Sequence, residues 1–211
     1  LQYKTTGRII IPMTIVARKQ IKREKLLDQG VQMLMDQGYH GTGLKDILNT
    51  VGIPKGSFYN YFSSKEEFAA EAISHYIEPF IIRLQGHLQN PELNGLTALE
   101  QYYAELINEV ERAGYKGGCL LGNLMGELGD TSDICRHSLK TALERYKKLQ
   151  LVALLRAQQE GVVRADLNAE TMADLLIDNW QGALLRMKIE QSVKPLQQFV
   201  ATLLEDYFLK K

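Results

Sequence analysis

The feature that most constrains this chain is a helical spacing of apolar residues that persists almost from end to end. Ile21, Leu26, Leu27, Val31, Leu34 and Met35 recur at three- and four-residue steps, which places them on one face of a helix. The pattern predicts an amphipathic helix over 17–37, ended at Gly38. A short helix is expected over 44–50, with Ile47 and Leu48 inside, followed by a tight turn at Gly52. Pro54 suits the first position of a helix, where its missing N–H costs nothing, so a two-turn helix is predicted over 54–62. Ser63 or Ser64 caps the next helix, and Ser64 with Glu67 has the spacing of a capping box. Long helices follow, broken at Gln89-Asn90-Pro91, Gly114 to Gly118, Gly129 to Ser132, Gly161 to Asp166 and Ser192 to Pro195. No segment shows the sustained alternation of a strand. The expected fold class is therefore all-α, with about nine helices: a three-helix unit at the amino terminus and a larger helical body.

Composition narrows the function classes. At 211 residues, 45% hydrophobic and 24% charged, the chain can bury a sizeable core, which excludes collagen-like and disordered classes. Its longest apolar runs, such as Ile9-Ile10-Ile11 and Leu154-Leu155, fall far short of the roughly 18 residues of a membrane span. No membrane partner is expected. Lys4 and Arg8 precede an apolar patch too short for a signal peptide, and residues 1–12 read as a flexible tail before Met13. Two cysteines, Cys119 and Cys135, make no disulfide framework, which points to the cytoplasm. The net charge of zero hides an asymmetry: residues 1–65 hold ten Lys and Arg against four Asp and Glu, a net +6, and the remainder carries −6. A basic end joined to an acidic body fits a polyanion at one end only, although mixed charges on helices also produce such imbalances by chance.

Two short helices joined by a tight glycine turn, after a longer helix, have the layout of a helix-turn-helix DNA reader. The second short helix, Lys55-Gly56-Ser57-Phe58-Tyr59-Asn60-Tyr61-Phe62, sets Phe58 and Phe62 four apart on an inward face. Lys55, Ser57, Tyr59, Asn60 and Tyr61 are left outside. Those side chains suit phosphate contacts and base-edge hydrogen bonds in a major groove. Gly56 would let a DNA backbone come close, or is merely a weak helix start.

Residues 38–73, GYHGTGLKDILNTVGIPKGSFYNYFSSKEEFAAEAI, resemble the amino-terminal domain of the TetR family of transcriptional repressors. The landmarks are Gly38-Tyr39, Thr42, Ile47, Gly52, Lys55-Gly56, Tyr59, Tyr61-Phe62 and Ser64-Lys65-Glu66. The resemblance implies a helix-turn-helix DNA-binding domain over 13–63 and an effector-binding and dimerisation domain over 64–211. It assigns Thr42 and Gly43 to a phosphate at the start of the second helix, although Thr42 as a plain N-cap explains its presence equally well. It puts Lys55, Gly56, Ser57, Tyr59, Asn60 and Tyr61 on the recognition helix and Lys65 on a backbone phosphate. The sequence departs from the family pattern at Pro54, where a small polar cap is usual, and at Leu48, where alanine is frequent. Arg18, Lys19 and Lys22 suit either a DNA groove or solvent.

The resemblance also implies a homodimer on a palindromic double-stranded operator and an unidentified small-molecule effector. Met172, Leu175, Leu176, Asn179, Trp180, Ala183, Leu184 and Met187, with Phe199, Leu203, Leu204, Tyr207 and Phe208 on the last helix, form stripes that suit a two-fold interface or a monomer's own core. For the effector or sensor site the residues are Cys119, Tyr102, Tyr103, Asn123 and Trp180, with Leu106, Leu120 and Leu124 beside them. Cys119 lies in Gly117-Gly118-Cys119-Leu120, at the expected start of a helix, where the dipole favours thiolate. That segment is similar to the subgroup containing the N-ethylmaleimide reductase repressor, whose corresponding cysteine senses electrophiles or oxidants. A buried cysteine serving as a small hydrophobe is the other reading.

Enzyme signatures are missing from the sequence. There is no Cys-x-x-Cys pair, no Gly-x-Ser-x-Gly and no phosphate-binding glycine loop, and His40, His75, His87 and His137 are scattered. No catalytic residue, metal or cofactor is expected. The competing reading is an all-α small-molecule-binding or enzymatic protein with a vestigial helix-turn-helix.

Overall fold

The computed structural model describes residues 15–210, with the side chains of residues 15–18 and Lys55 outside the description. The proposed tail 1–12, Met13 and the side chain of Arg18 lie outside the described residues. The all-α expectation holds: eight α-helices follow one another, and the described residues contain no strand beyond one isolated bridge, Val163 to Leu209. Helix α1 spans Ile15–Gly41 with a break at Gly38, and α2 spans Leu44–Thr50. A 3₁₀ segment, Lys55–Asn60, precedes α3, Lys65–Gln89. The body continues as α4, Gly95–Arg112; α5, Leu120–Leu128; α6, Asp133–Gln159; α7, Ala169–Glu190; and α8, Lys194–Phe199. Helix α8 runs on as a π-helical stretch, Val200–Tyr207. No helix among the described residues is long and apolar enough to cross a membrane.

Local chemistry accounts for most boundaries. Asn94, Ser132 and Asn168 cap α4, α6 and α7 by accepting from the N–H two or three residues on. Ser64 caps α3 through the Glu67 N–H, but the Glu67 carboxylate reaches back to the Ser63 N–H and hydroxyl, one residue earlier than a standard capping box. The long α3 is the hinge plate between the two parts, packing on α1 to one side and on α4 and α6 to the other. The recognition element is 3₁₀ instead of the expected two-turn α-helix. Ser57 donates to Pro54 and Tyr61 to Phe58, each three residues back, as a 3₁₀ turn requires. A six-residue run holding Gly56, Ser57 and two aromatics is too short and too poor in helix formers for a stable α nucleus.

Candidate DNA interface and effector cavity

The reading head is built from the inside outward. Phe58 and Phe62 are buried and meet Phe68 of α3 in an aromatic knot, with ring centroids 5.0 to 5.9 Å apart. Edge-to-face and tilted contacts of this kind add to the area buried. Ile47 and Leu48 of α2 and Leu26, Leu27 and Leu34 of α1 close the core beneath. With its inner face fixed, the 3₁₀ segment turns the opposite side outward. Tyr59 is 66% exposed, and Gly56 and Asn60 are exposed beside it. Ser57 and Tyr61 are half-covered, and the Tyr61 ring lies 5.9 Å from the Lys19 ammonium of α1. Lys19 and Lys22 are exposed on the same side of the chain's first helix.

Two of the expected phosphate contacts have other partners. Thr42 is buried, and its hydroxyl donates to the Gly38 carbonyl at 2.6 Å and the Met33 carbonyl at 3.2 Å. The N-cap of α2 is Gly43, not Thr42, so the capping explanation of Thr42 is corrected. The Asp46 carboxylate folds back against Gly43 and supplies the negative charge that the helix start favours. Lys65, half-buried, donates to the Tyr39 carbonyl at 2.6 Å and lies 4.2 Å from the Tyr39 ring centroid. Burial pulls its ammonium below the usual lysine range, with Glu127 pulling the other way.

In the body, a cavity of about 240 Å³ opens between α3, α4, α5, α6 and α7, with Met35 of α1 at its wall. Tyr76 and Phe80, one turn apart on α3, form one wall, and Leu106, Tyr146, Trp180 and Leu184 form the others. Cys119 is at its edge, half-buried at the N-cap of α5, and its Sγ accepts from the Gln181 amide at 3.3 Å. Burial raises the Tyr76 phenol well above its ordinary range, so it stays a neutral donor. The wall is mainly apolar and aromatic, with Glu109 and Lys116 supplying charge at the rim, a lining suited to a compact, mostly apolar molecule.

Of the five effector residues expected from the sequence, Cys119 and Trp180 line this cavity; Tyr102, Tyr103 and Asn123 do not. Tyr102 and Tyr103 are fully buried behind it. Tyr102 accepts from the Tyr146 hydroxyl at 2.9 Å, and Tyr103 stacks on Trp180 and Phe199. Asn123 lies on the far side of Cys119, donating to the Gly117 carbonyl and accepting from Lys188. Sequence reasoning missed Tyr76, Phe80 and Gln181. The first two carried a visible signal, an aromatic pair at i and i+4. Cys135 is fully buried with its thiol 3.6 Å from the Glu66 carbonyl, and burial pushes that thiol up.

The expected interface stripe also resolves differently. Met172, Leu176, Trp180, Ala183, Leu184 and Met187 are buried within the chain and form its own core. The face of α7 left open is the neighbouring one, with Asn179 and Gly182 exposed, Leu185 57% exposed and Ile189 86% exposed. It borders a groove of about 700 Å³ shared with Gln198 and Thr202 of the last helix.

An exposed recognition segment on a helix-turn-helix, joined to a cavity-bearing helical body, defines a DNA-binding transcriptional regulator. Comparison with known proteins gives the family. A model described as "Bacterial regulatory proteins, tetR family" matches residues 26–72, and one described as "Tetracyclin repressor-like, C-terminal domain" matches residues 95–203. The chain is 34% identical over 183 residues to the HTH-type transcriptional repressor DhaR of Mycobacterium sp. (strain GP1), covering 87% of this chain and 90% of that one. It is 32% identical over 179 residues to the HTH-type transcriptional repressor NemR of Escherichia coli (strain K12), covering 85% and 90%. A solved structure of a regulatory protein TetR from Rhodobacter sphaeroides superimposes with a TM-score of 0.82 at 31% identity, covering 90% and 100%. The reduced form of Escherichia coli NemR does so with a TM-score of 0.82 at 30% identity, covering 90% and 97%. The chain belongs to the TetR family.

Proposed function

We propose that the protein is a dimeric cytoplasmic repressor that reads a palindromic operator and leaves it when its body is occupied or modified. Two copies of the 55–61 segment enter successive major grooves, since one such element reads only a few base pairs. Tyr59 and Asn60 meet base edges, Lys55, Ser57 and Tyr61 meet bases or phosphates, and Gly56 admits the backbone. The amide end of α2 at Gly43 serves a phosphate, with Thr42 holding that turn, and Lys65 offers its remaining ammonium protons to another. The open face of α7 and the last helix, around Gly182, Leu185, Ile189 and Thr202, pairs with its copy. The names of the relatives, both repressors, support repression over activation.

The observation that carries this reading is the split within one short segment: Phe58 is 1% exposed and the adjacent Tyr59 66%. A side chain that large, held out by a buried neighbour beside Gly56 and Asn60, is placed to meet a partner outside the chain. The test is fluorescence anisotropy on DNA from the protein's own promoter region at several salt concentrations. Lys55→Ala and Tyr59→Ala are each expected to weaken the preference for that DNA over random sequence. Wild-type binding no better than to random DNA overturns the reading.

For the sensor, an electrophile adds at Cys119: the Sγ electron pair forms the new S–C bond on an activated alkene, and the thiol proton passes through water to the neighbouring carbon. Cys119→Ser is expected to keep DNA affinity and lose release by N-ethylmaleimide. A serine variant that still releases makes Cys119 structural.

A further inference from the structure

The junction between α1 and α2 is held from outside the head by one carboxylate. Gly38, at φ +71° and ψ 177°, breaks the helical run of α1, a conformation that L side chains rarely adopt. The break strands the next amides, because their helical acceptors are displaced. Glu127, in the last turn of α5, takes up both: its Oε2 accepts from the Tyr39 N–H at 2.9 Å and the His40 N–H at 3.2 Å. A Cβ at position 38 would come within 2.4 Å of Glu127 Oε1, so a larger residue here would push this carboxylate off the amides it holds. From α3, the Lys65 ammonium grips the carbonyl of the same residue, Tyr39. Among the described residues, no side chain beyond α3 other than Glu127 hydrogen-bonds to the head.

The other end of α5 is the cavity wall. Its N-cap is Cys119, and nine helical residues span only about 13 Å. Gly117 and Gly118, at φ +80° and +78°, lead into it, and Gly129 follows it. A short helix between permissive residues moves as a unit more readily than it bends.

We propose that Glu127 is a positioning residue that ties the orientation of the α1–α2 junction, and through it the recognition segment, to the state of the cavity wall at Cys119. The inference rests on the reading of that wall as the sensor. Displacing the start of α5 withdraws the carboxylate from Tyr39 and His40, and the head loses the contact that fixes where α2 begins. This is a coupling free energy between two sites, carried by one element.

The experiment is hydrogen exchange on the full chain, before and after alkylation with N-ethylmaleimide, together with promoter-DNA affinity. In the wild type, alkylation should speed exchange of the Tyr39 and His40 amides about tenfold. In Glu127→Ala those amides should exchange fast from the start. Alkylation of that variant should add less than about twofold to its DNA dissociation constant, against about tenfold or more in the wild type. Glu127→Gln, which keeps a neutral acceptor, should fall between. A merely structural Glu127 would lower the melting midpoint and leave the alkylation ratio unchanged, and that result overturns the proposal. Wild-type release with unchanged amide exchange also overturns it, and leaves the sensor reading standing. If alkylation alters neither exchange nor binding, both the sensor reading and this coupling fail.

Discussion

At the reading head, the groups proposed to meet a ligand stand outside a packed support; at the cavity, they stand inside one. The 3₁₀ segment sends Phe58 inward to Phe68 and leaves Tyr59 and Asn60 in solvent. The cavity collects Tyr76, Phe80, Trp180 and Cys119 from two helices and the start of a third. The first arrangement divides stability and recognition between neighbouring residues. In the second, the same side chains close the core and form the recess. Substitutions in the head should therefore separate folding from binding cleanly, and those in the cavity should not.

The strongest way to break that contrast is Phe58→Ala. Removing a fully buried aromatic costs about 3–5 kcal/mol, and the head alone should lose its exchange protection, in urea series followed by hydrogen exchange, before α4, α6 and α7 do. Simultaneous loss in both regions would mean that support and body are one cooperative unit. Next comes the residue beside it. Tyr59→Ala should weaken promoter binding by about 1–3 kcal/mol and shift stability by no more than about 0.5 kcal/mol, as expected for an exposed site; a large fall in melting temperature would show that Tyr59 is part of the support. Ser64→Ala, which removes the α3 cap between the two regions, should cost about 1 kcal/mol in chemical denaturation with the cavity unaltered.

The smallest effect is on pH. Hydrogen bonds from Ser63 hold the Glu67 carboxylate below its ordinary value of 4.5. Its contribution is complete above that value and is lost as the pH falls through the folded-state value. Melting curves of wild type and Glu67→Gln should therefore differ at neutral pH and converge as the pH falls below 4.5 and through the folded-state value; a gap that persists in strong acid would point to a cause other than this carboxylate.

The same contrast explains what was legible in the sequence. The head is written in one continuous stretch, residues 38–73, so its breaks, its inward Phe58 and Phe62 and its outward Tyr59 followed from spacing. The body's helices followed as well, from their apolar period and breaks. The site within the body did not. Tyr102 and Tyr103 share their apolar face with the core, and nothing local distinguishes a tyrosine that lines a recess from one packed behind it. Of the two readings of the α7 stripe, the chain's own core holds for most of it, for a related reason: periodicity finds the buried face of α7, and apart from Asn179 it passes over the half-polar neighbour at Gly182 and Leu185. Thr42 had the residue type of a cap, but the break at Gly38 turned its hydroxyl back into α1.

The central claim, that the 55–61 segment is the part touching base pairs, is tested most directly by placing a cleaving reagent on it. With Cys119→Ser removing the half-buried thiol and Asn60→Cys carrying chelated iron, the promoter DNA should be cut in two clusters related by a dyad and separated by about one or more helical turns of 10 bp. Cuts scattered as on random DNA, or absent while the variant stays bound, would contradict it.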